Sequence, residues 1–206
     1  RFKVDGYNLC SDTQCQVYKD PSKANQKIKT AIKKTTGKII TWNQKPINTV
    51  YHATNGGVMA SVDEAWSINQ VPYLKMRLDG PKHWTRTINL PLSNEKYLRS
   101  FLFSKSEAFG SDHPLFRWNR TLDSSQIAKQ LKEAQKVTSA FYPQKIHAVR
   151  RGNSGRVTSL KIEGKTGSEI LLKVDDIRRV FRQLPSTLFV VKEIKEGKWL
   201  FSGGGF

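Results

Sequence analysis

The sequence predicts an α+β fold, mostly antiparallel strands with short helices interspersed, in a single compact domain spanning residues 1–206. Three observations point there. A chain of 206 residues has the length of one domain and can hide roughly 70% of its unfolded surface. Its 37% hydrophobic and 10% aromatic content suits a packed core rather than a disordered chain. Short apolar runs recur between turn residues, several joined by hairpin-length links and broken by a few helix-period segments. There is no internal repeat and no low-complexity linker. The loop "GSDHPLF" (110–116) is the one candidate hinge.

Each element can be justified in order. "PSKANQKIKTAIKKTTG" (21–37) predicts a helix, with Pro21 and Ser22 at its start, Gly37 at its end and an apolar stripe of Ala24, Ile28, Ala31 and Ile32. "KIITW" and "PINTVYH" read as strands around the turn "NQK". "SVDEAWSIN" reads as a short helix, and "YLKMRL" and "HWTRTINL" as strands with "DGP" between them. "SNEKYLRSFLFS" has Ser93 as a candidate N-cap and Glu95 in the first turn. "PLFRWNRTL" is a strand. "DSSQIAKQLKEAQK" is the clearest helix, with Ile127 and Leu131 four apart and capping residues at its start. "KIHAVRR", "VTSLKIEG" and "EILLKV", linked by "GNSG" and "KTG", form a β-meander. "DDIRRVFRQL" is a helix opened by two acids, and "STLFVVKEI" and "KWLFSGGG" pair as the last strands.

The net charge of +18, from 35 Lys and Arg against 17 Asp and Glu, attracts polyanions: nucleic acid, acidic lipid or an anionic cell wall. The densest basic cluster, "KIKTAIKKTTGK" (27–38), reads as a solvated helix face. No zinc-finger spacing, RNP pattern or helix-turn-helix accompanies the charge, so a nucleic-acid partner is not expected and rests on charge alone. No apolar run approaches the roughly 20 residues that cross a bilayer. Both ends, Arg1 and Phe206 after "SGGG", read as cut.

Two motifs carry chemistry. Cys10 and Cys15 in "CSDTQC" read as a local disulfide or free thiols. The alternative is half of a zinc site completed from His52, His83, His113 or His147. "YHATNGG" (51–57) sits at a strand-to-helix junction and has two readings. It is a tight turn, since Asn and Gly tolerate positive φ, or it is a binding elbow that turns side chains and bare backbone toward a ligand.

Taken together and in order, "LCSDTQCQVYKD", "AIKKTTGKIITWNQKPINTVYHATNGG", "DEAWSINQVPYLKMRLD", "FRWNRTL", "DIRRVFRQLPSTLFVV" and "WLFSGGGF" resemble the stage II sporulation protein D family. Its members are the amidase-enhancer and lytic-transglycosylase domains of bacterial cell-wall enzymes. The resemblance implies an extracytoplasmic protein, at the periplasm or cell-wall face, whose partners are peptidoglycan glycan strands and a cell-wall amidase. It implies that the elbow lies near the substrate cleft. His52 would then contact a sugar hydroxyl, Asn55 an acetamido group, and Gly56 and Gly57 would let backbone approach the glycan. Tyr73 and Trp66 would line the cleft, with an equal reading as core; Arg117 and Arg179 would meet wall carboxylates, though such residues are more often structural ion-pair partners. Gln14 stands where members often carry a histidine, which weakens the zinc reading, so no cofactor is expected.

The reaction the resemblance implies is non-hydrolytic cleavage between N-acetylmuramic acid and N-acetylglucosamine. One carboxylic acid protonates the glycosidic oxygen, and the muramic C6 hydroxyl closes a 1,6-anhydro ring. The family's proposed acid lies upstream of the position matching Arg1. Within the chain, Asp63 and Glu64 are the nearest carboxylates to the elbow, and Glu64 is the weak candidate; acids in a first helical turn are ordinarily capping residues. Three functions are thus expected in order: glycan binding and remodelling, non-catalytic enhancement of an N-acetylmuramoyl-L-alanine amidase, and nucleic-acid binding.

Overall fold

A computed structural model describes residues 21–66, 69–138 and 140–206. The chain divides into two compact units, Arg1–Thr49 and Val50–Phe206. Cys10 and Cys15, and with them the disulfide and zinc readings, lie outside the described residues.

In the first unit, helix α1 spans Gln26–Thr35, starting five residues later than the sequence suggests because Pro21–Lys23 forms a separate 3-10 turn. Its cap is Asn25, whose side-chain oxygen accepts from the Ile28 N–H at 3.0 Å. A hairpin follows, with β1 at Thr41–Trp42 and β2 at Lys45–Pro46. Asn43 and Gln44 between them both hold positive φ, 49° and 61°, as a tight two-residue hairpin turn requires. The expected strand "PINTVYH" does not form. Pro46 has no N–H for a ladder, and the pairing stops there.

The second unit begins with the elbow and strand β3 (Val58–Met59), then helix α2 (Val62–Ala65) and strand β4 (Arg77–Leu78), antiparallel to β3. "HWTRTINL" is a second correction: it opens as a helical turn, α3 (Lys82–Thr85), not a strand. Trp84 is the buried side chain of α3. Pro81 before it favours a helix start. The Thr87 hydroxyl, donating to the Trp84 carbonyl at 2.8 Å, closes the turn.

Helix α4 (Glu95–Phe103) turns Leu98, Phe101 and Leu102 inward. Its cap is Asn94, not Ser93, and Asn94 accepts from the Lys96 and Tyr97 amides. Strand β5 (Trp118–Asp123) runs directly into α5 (Ser124–Glu133), where Asp123 and Gln126 form a reciprocal capping box. The predicted meander is present as β6 (Pro143–Arg151), β7 (Val157–Gly164) and β8 (Glu169–Lys173), all antiparallel. Helix α6 (Val174–Val180) leads to β9 (Phe189–Lys195) and β10 (Lys198–Gly203). The latter pair, with β5 on the other side of β10, makes a second three-stranded sheet. The fold is therefore α+β with antiparallel sheets, as the sequence predicts.

Two apolar clusters hold this unit. The larger joins α5 and α6 to both three-stranded sheets through Leu122, Ile127, Leu131, Leu160, Ile162, Leu172, Phe181 and Trp199. The smaller gathers Val58, Trp84, Leu92, Leu98, Phe101 and Phe116 around Leu188 and Val190. Each fully buried side chain of this size contributes about 1.5–3 kcal/mol before entropy is counted.

Candidate functional site

A polar cleft of about 460 Å³ lies between α2, the end of β6, the β6–β7 turn and the β8–α6 junction. The floor is built on Glu64. As the third residue of α2 it points inward, and it is only 5% exposed. The β6–β7 turn closes over it. The Ser154 N–H donates to both carboxylate oxygens, at 3.4 and 3.2 Å, and the Ser154 hydroxyl also contacts Oε2. Gly152 makes this approach feasible, because a Cβ there would overlap the Glu64 carboxyl.

Behind Ser154 lies Arg156, also buried. Its guanidinium donates to the Val58 carbonyl (3.1 Å), the Ser154 hydroxyl (3.3 Å) and the Asn55 carbonyl (3.2 Å). Burial pushes its pKa down to about 10, against the opposing pull of Glu64. It remains a cation at neutral pH, and a buried charge is tolerable only when so paired. Arg151 is held likewise, donating to the Gly155 and Phe189 carbonyls at 3.1 and 2.6 Å. Its pKa is also pushed down by burial to about 10.

The cleft's mouth is more open. Asp63, next to Glu64, faces Gln70, whose amide donates to Oδ2 at 3.0 Å. That hydrogen bond above all holds the Asp63 carboxyl below its ordinary range, aided by the Ser61 side chain and the charge of Arg150. Arg150 and Lys173 are exposed and line the same space with Thr158 and Ser159. A ligand here meets an ionised acceptor on one side and cations on another. Glu64 accepts hydrogen bonds from the Ser154 amide of the turn it braces.

The elbow is organised for a different purpose. The Asn55 amide donates to Asp79 Oδ2 at 2.6 Å, and its oxygen accepts from the Gly57 N–H at 2.8 Å. The side chain is buried. The close backbone approach made at Gly56 is to the chain's own end: a Cβ there would lie 2.8 Å from Gly204 C and Gly205 N. Thr54 and Phe206 exchange backbone hydrogen bonds beside it. These contacts engage Asn55 and Gly56 with the protein itself.

Arg117 is half-buried against the same turn. It donates to the carbonyls of Gly56, Phe116, Leu102 and Phe101 and lies over the Phe116 ring at 4.2 Å. Burial pushes its pKa down to about 10. His52, Trp66 and Arg179 are exposed and Tyr73 is half-buried; none of them lines the cleft. Of the residues singled out from sequence, only Asp63 and Glu64 do. Arg150, Ser154, Arg156 and Lys173 were missed. The segment "GNSG" reads as a hairpin link, and nothing local shows that Ser154 meets a glutamate 90 residues away.

Residues 60–206 match a domain of unknown function (DUF8618). The chain belongs to that family. Every residue of the cleft lies within the DUF8618 match. Residues 1–42 match the Stage II sporulation protein family. The elbow thus lies between the two matches, and the resemblance read along the whole sequence is matched over its first part. No curated protein matches the chain. Among the described residues, no group of three His, Cys, Asp or Glu is placed to hold a metal ion. No helix among them is long and apolar enough to cross a membrane.

Proposed function

We propose that this protein binds glycan strands of bacterial peptidoglycan through the cleft beside α2 and serves their remodelling at the cell wall. The observation that carries the reading is the cleft's charge arrangement: Asp63, oriented by Gln70, with Arg150 and Lys173 around one groove. Hydroxyl and amide donors of a sugar suit the carboxylate, and the lactyl carboxylate of muramic acid suits the cations. The match of residues 1–42 to sporulation proteins supports a cell-wall setting.

The geometry favours holding a strand over cleaving it with the chain's own carboxylates. Cleavage requires an acid that releases a proton to the glycosidic oxygen at roughly 3 Å. Glu64 is turned into the β6–β7 turn, and Asp63 is held in its ionised form. The reading is therefore that of a wall-binding protein which presents strands to a partner amidase, with transglycosylation the alternative. The test is co-sedimentation with peptide-free glycan strands. Asp63→Asn combined with Arg150→Ala should weaken binding by about tenfold, or roughly 1.4 kcal/mol, in a chain that circular dichroism shows to be folded. Equal displacement of strands by duplex DNA, with no effect of the double variant, would assign the surface to nucleic acid. Accumulation of 1,6-anhydro ends that Glu64→Gln abolishes would restore the enzymatic reading.

A further inference from the structure

Helix α1 is exposed along its whole length. At 3.6 residues per turn, Ile28, Ala31, Ile32 and Thr35 fall on one arc of about 100°. Ile28 and Ile32 keep 49% and 61% of their surface in solvent. The Thr35 hydroxyl donates back to the Ala31 carbonyl at 2.9 Å, and the Thr36 hydroxyl to the Ile32 carbonyl at 2.8 Å. Both hydroxyls are thus satisfied by the helix itself and add little polarity to the arc. Beyond the helix, Ile39 and Ile40 are more exposed still, at 71% and 65%. Four isoleucines within 13 residues of chain therefore stand half or more in water, a concentration that marks an interaction surface rather than scattered exposure.

Lysines frame the arc on both sides. Lys29 and Lys33 follow one border, Lys27 and Lys34 the other. From position 21 to position 49 there are seven lysines and no Asp or Glu. None of these lysines enters an ion pair among the described residues. Such a patch attracts any polyanion, but polyanions differ in what they offer isoleucine. A nucleic-acid backbone or an anionic glycan presents charge and water, and leaves the apolar arc wet. An anionic lipid surface presents both partners: headgroup charge for the lysines at the borders and acyl chains for the isoleucines between them. Lysine stems are long enough to keep their ammonium groups at headgroup level while the isoleucines enter.

We propose that the apolar arc of α1, continued by Ile39 and Ile40, lies in the interface of an anionic lipid membrane. The isoleucines enter the boundary between headgroups and acyl chains, and the flanking lysines meet the lipid phosphates. The segment lies on the bilayer and does not cross it, since no described helix is long and apolar enough to do so. This surface is independent of the glycan reading, because every residue of the cleft lies beyond position 60.

The experiment is flotation of the full chain with vesicles of phosphatidylcholine mixed with phosphatidylglycerol, and with vesicles of phosphatidylcholine alone. Binding is expected to the anionic vesicles only. Ile28→Gln with Ile32→Gln removes the apolar arc at exposed positions and keeps every lysine; it should weaken vesicle binding by about tenfold or more. Lys29→Gln with Lys33→Gln should weaken it too, through lost headgroup attraction. Should circular dichroism show the isoleucine variant unfolded, Ile39→Gln with Ile40→Gln, outside the helix, replaces it with the same expectation. The isoleucine variants should still co-sediment with peptide-free glycan strands as the unaltered chain does, so the failure of this surface and that of the cleft are read apart. Vesicle binding that falls in the lysine variant but is unchanged in the isoleucine variants would mean attraction by charge alone and would overturn the proposal. Absence of the unaltered chain from the floated anionic vesicles would overturn it as well. Duplex DNA bound in place of vesicles, with dependence on the lysines and none on the isoleucines, would assign the surface to nucleic acid.

Discussion

At Asn55 a single residue, through side chain and backbone, joins three segments. Its amide bonds Asp79, its oxygen bonds the Gly57 N–H, and its own carbonyl receives Arg156. Truncation to alanine leaves a buried donor and a carboxylate oxygen unpaired, which costs about 1–3 kcal/mol. Asn55→Ala should therefore lower the denaturation midpoint clearly while leaving glycan affinity per folded molecule unchanged. A drop in affinity without loss of stability would return the elbow to the binding surface. Asp63 gives the opposite signature. Its folded pKa lies below the ordinary 3.8 because Gln70 donates to the ionised form. Its contribution to stability is thus fully present above that ordinary value and is lost as pH falls through the folded one. Between pH 5 and pH 2, Asp63→Asn should flatten the acid-induced loss of stability relative to the unaltered chain, as read by thermal melts across that range.

At the scale of elements, local chemistry decides where helices begin and packing decides whether a segment is helix or strand. The α5 start is local. Asp123 accepts from the Gln126 N–H at 2.8 Å and Gln126 answers to the Asp123 N–H at 3.0 Å. Asp123→Ala should lower the urea midpoint with unchanged slope, since the capping bond is lost. The α3 segment is the contrary case. "HWTRTINL" reads as a strand, yet Trp84 packs in the smaller core against Gly80, where any side chain would overlap the indole. The helical turn presents that ring to the cluster. One local sign pointed the right way: Pro81 suits a helix start.

Across the whole second unit, the chain's end is a structural part. Gly204 and Gly205 bond the Leu188 and Leu115 carbonyls, and Phe206 pairs with Thr54. The Trp118 indole donates to the Gly205 carbonyl at 3.1 Å. Residues separated by about 150 positions thus meet at the elbow, and the glycines keep the two backbones in contact. Two glycines give a controlled comparison. Gly56 and Gly110 have nearly the same positive φ, 71° and 69°, but only Gly56 has backbone where a Cβ would go. Gly110→Ala should cost about 1–2 kcal/mol from conformation alone. Gly56→Ala should cost clearly more, because overlap with the Gly204 backbone is added. Similar melting temperatures for the two variants would mean that the contact with the chain's end is not needed for the fold.

The amino-acid sequence by itself determined the antiparallel α+β class, the β6–β7–β8 meander, the α5 capping box and the cationic character of the protein. Each is written over a few neighbouring residues: alternation, turn-length links, an Asp three positions before a Gln, a count of lysines and arginines. Tertiary structure alone decided what the conspicuous residues do. The Asn55 amide bonds the Asp79 carboxylate and the Gly57 N–H, and the half-buried Arg117 donates to four backbone carbonyls. Glu64 reads as one acid of a helix start, and becomes the buried partner of Ser154. The cleft itself exists because α2, the β6–β7 turn and the β8–α6 junction converge, although up to about 110 positions separate them in the chain. Such convergence depends on which surfaces pack together, and packing is a property of the closed core rather than of any one segment.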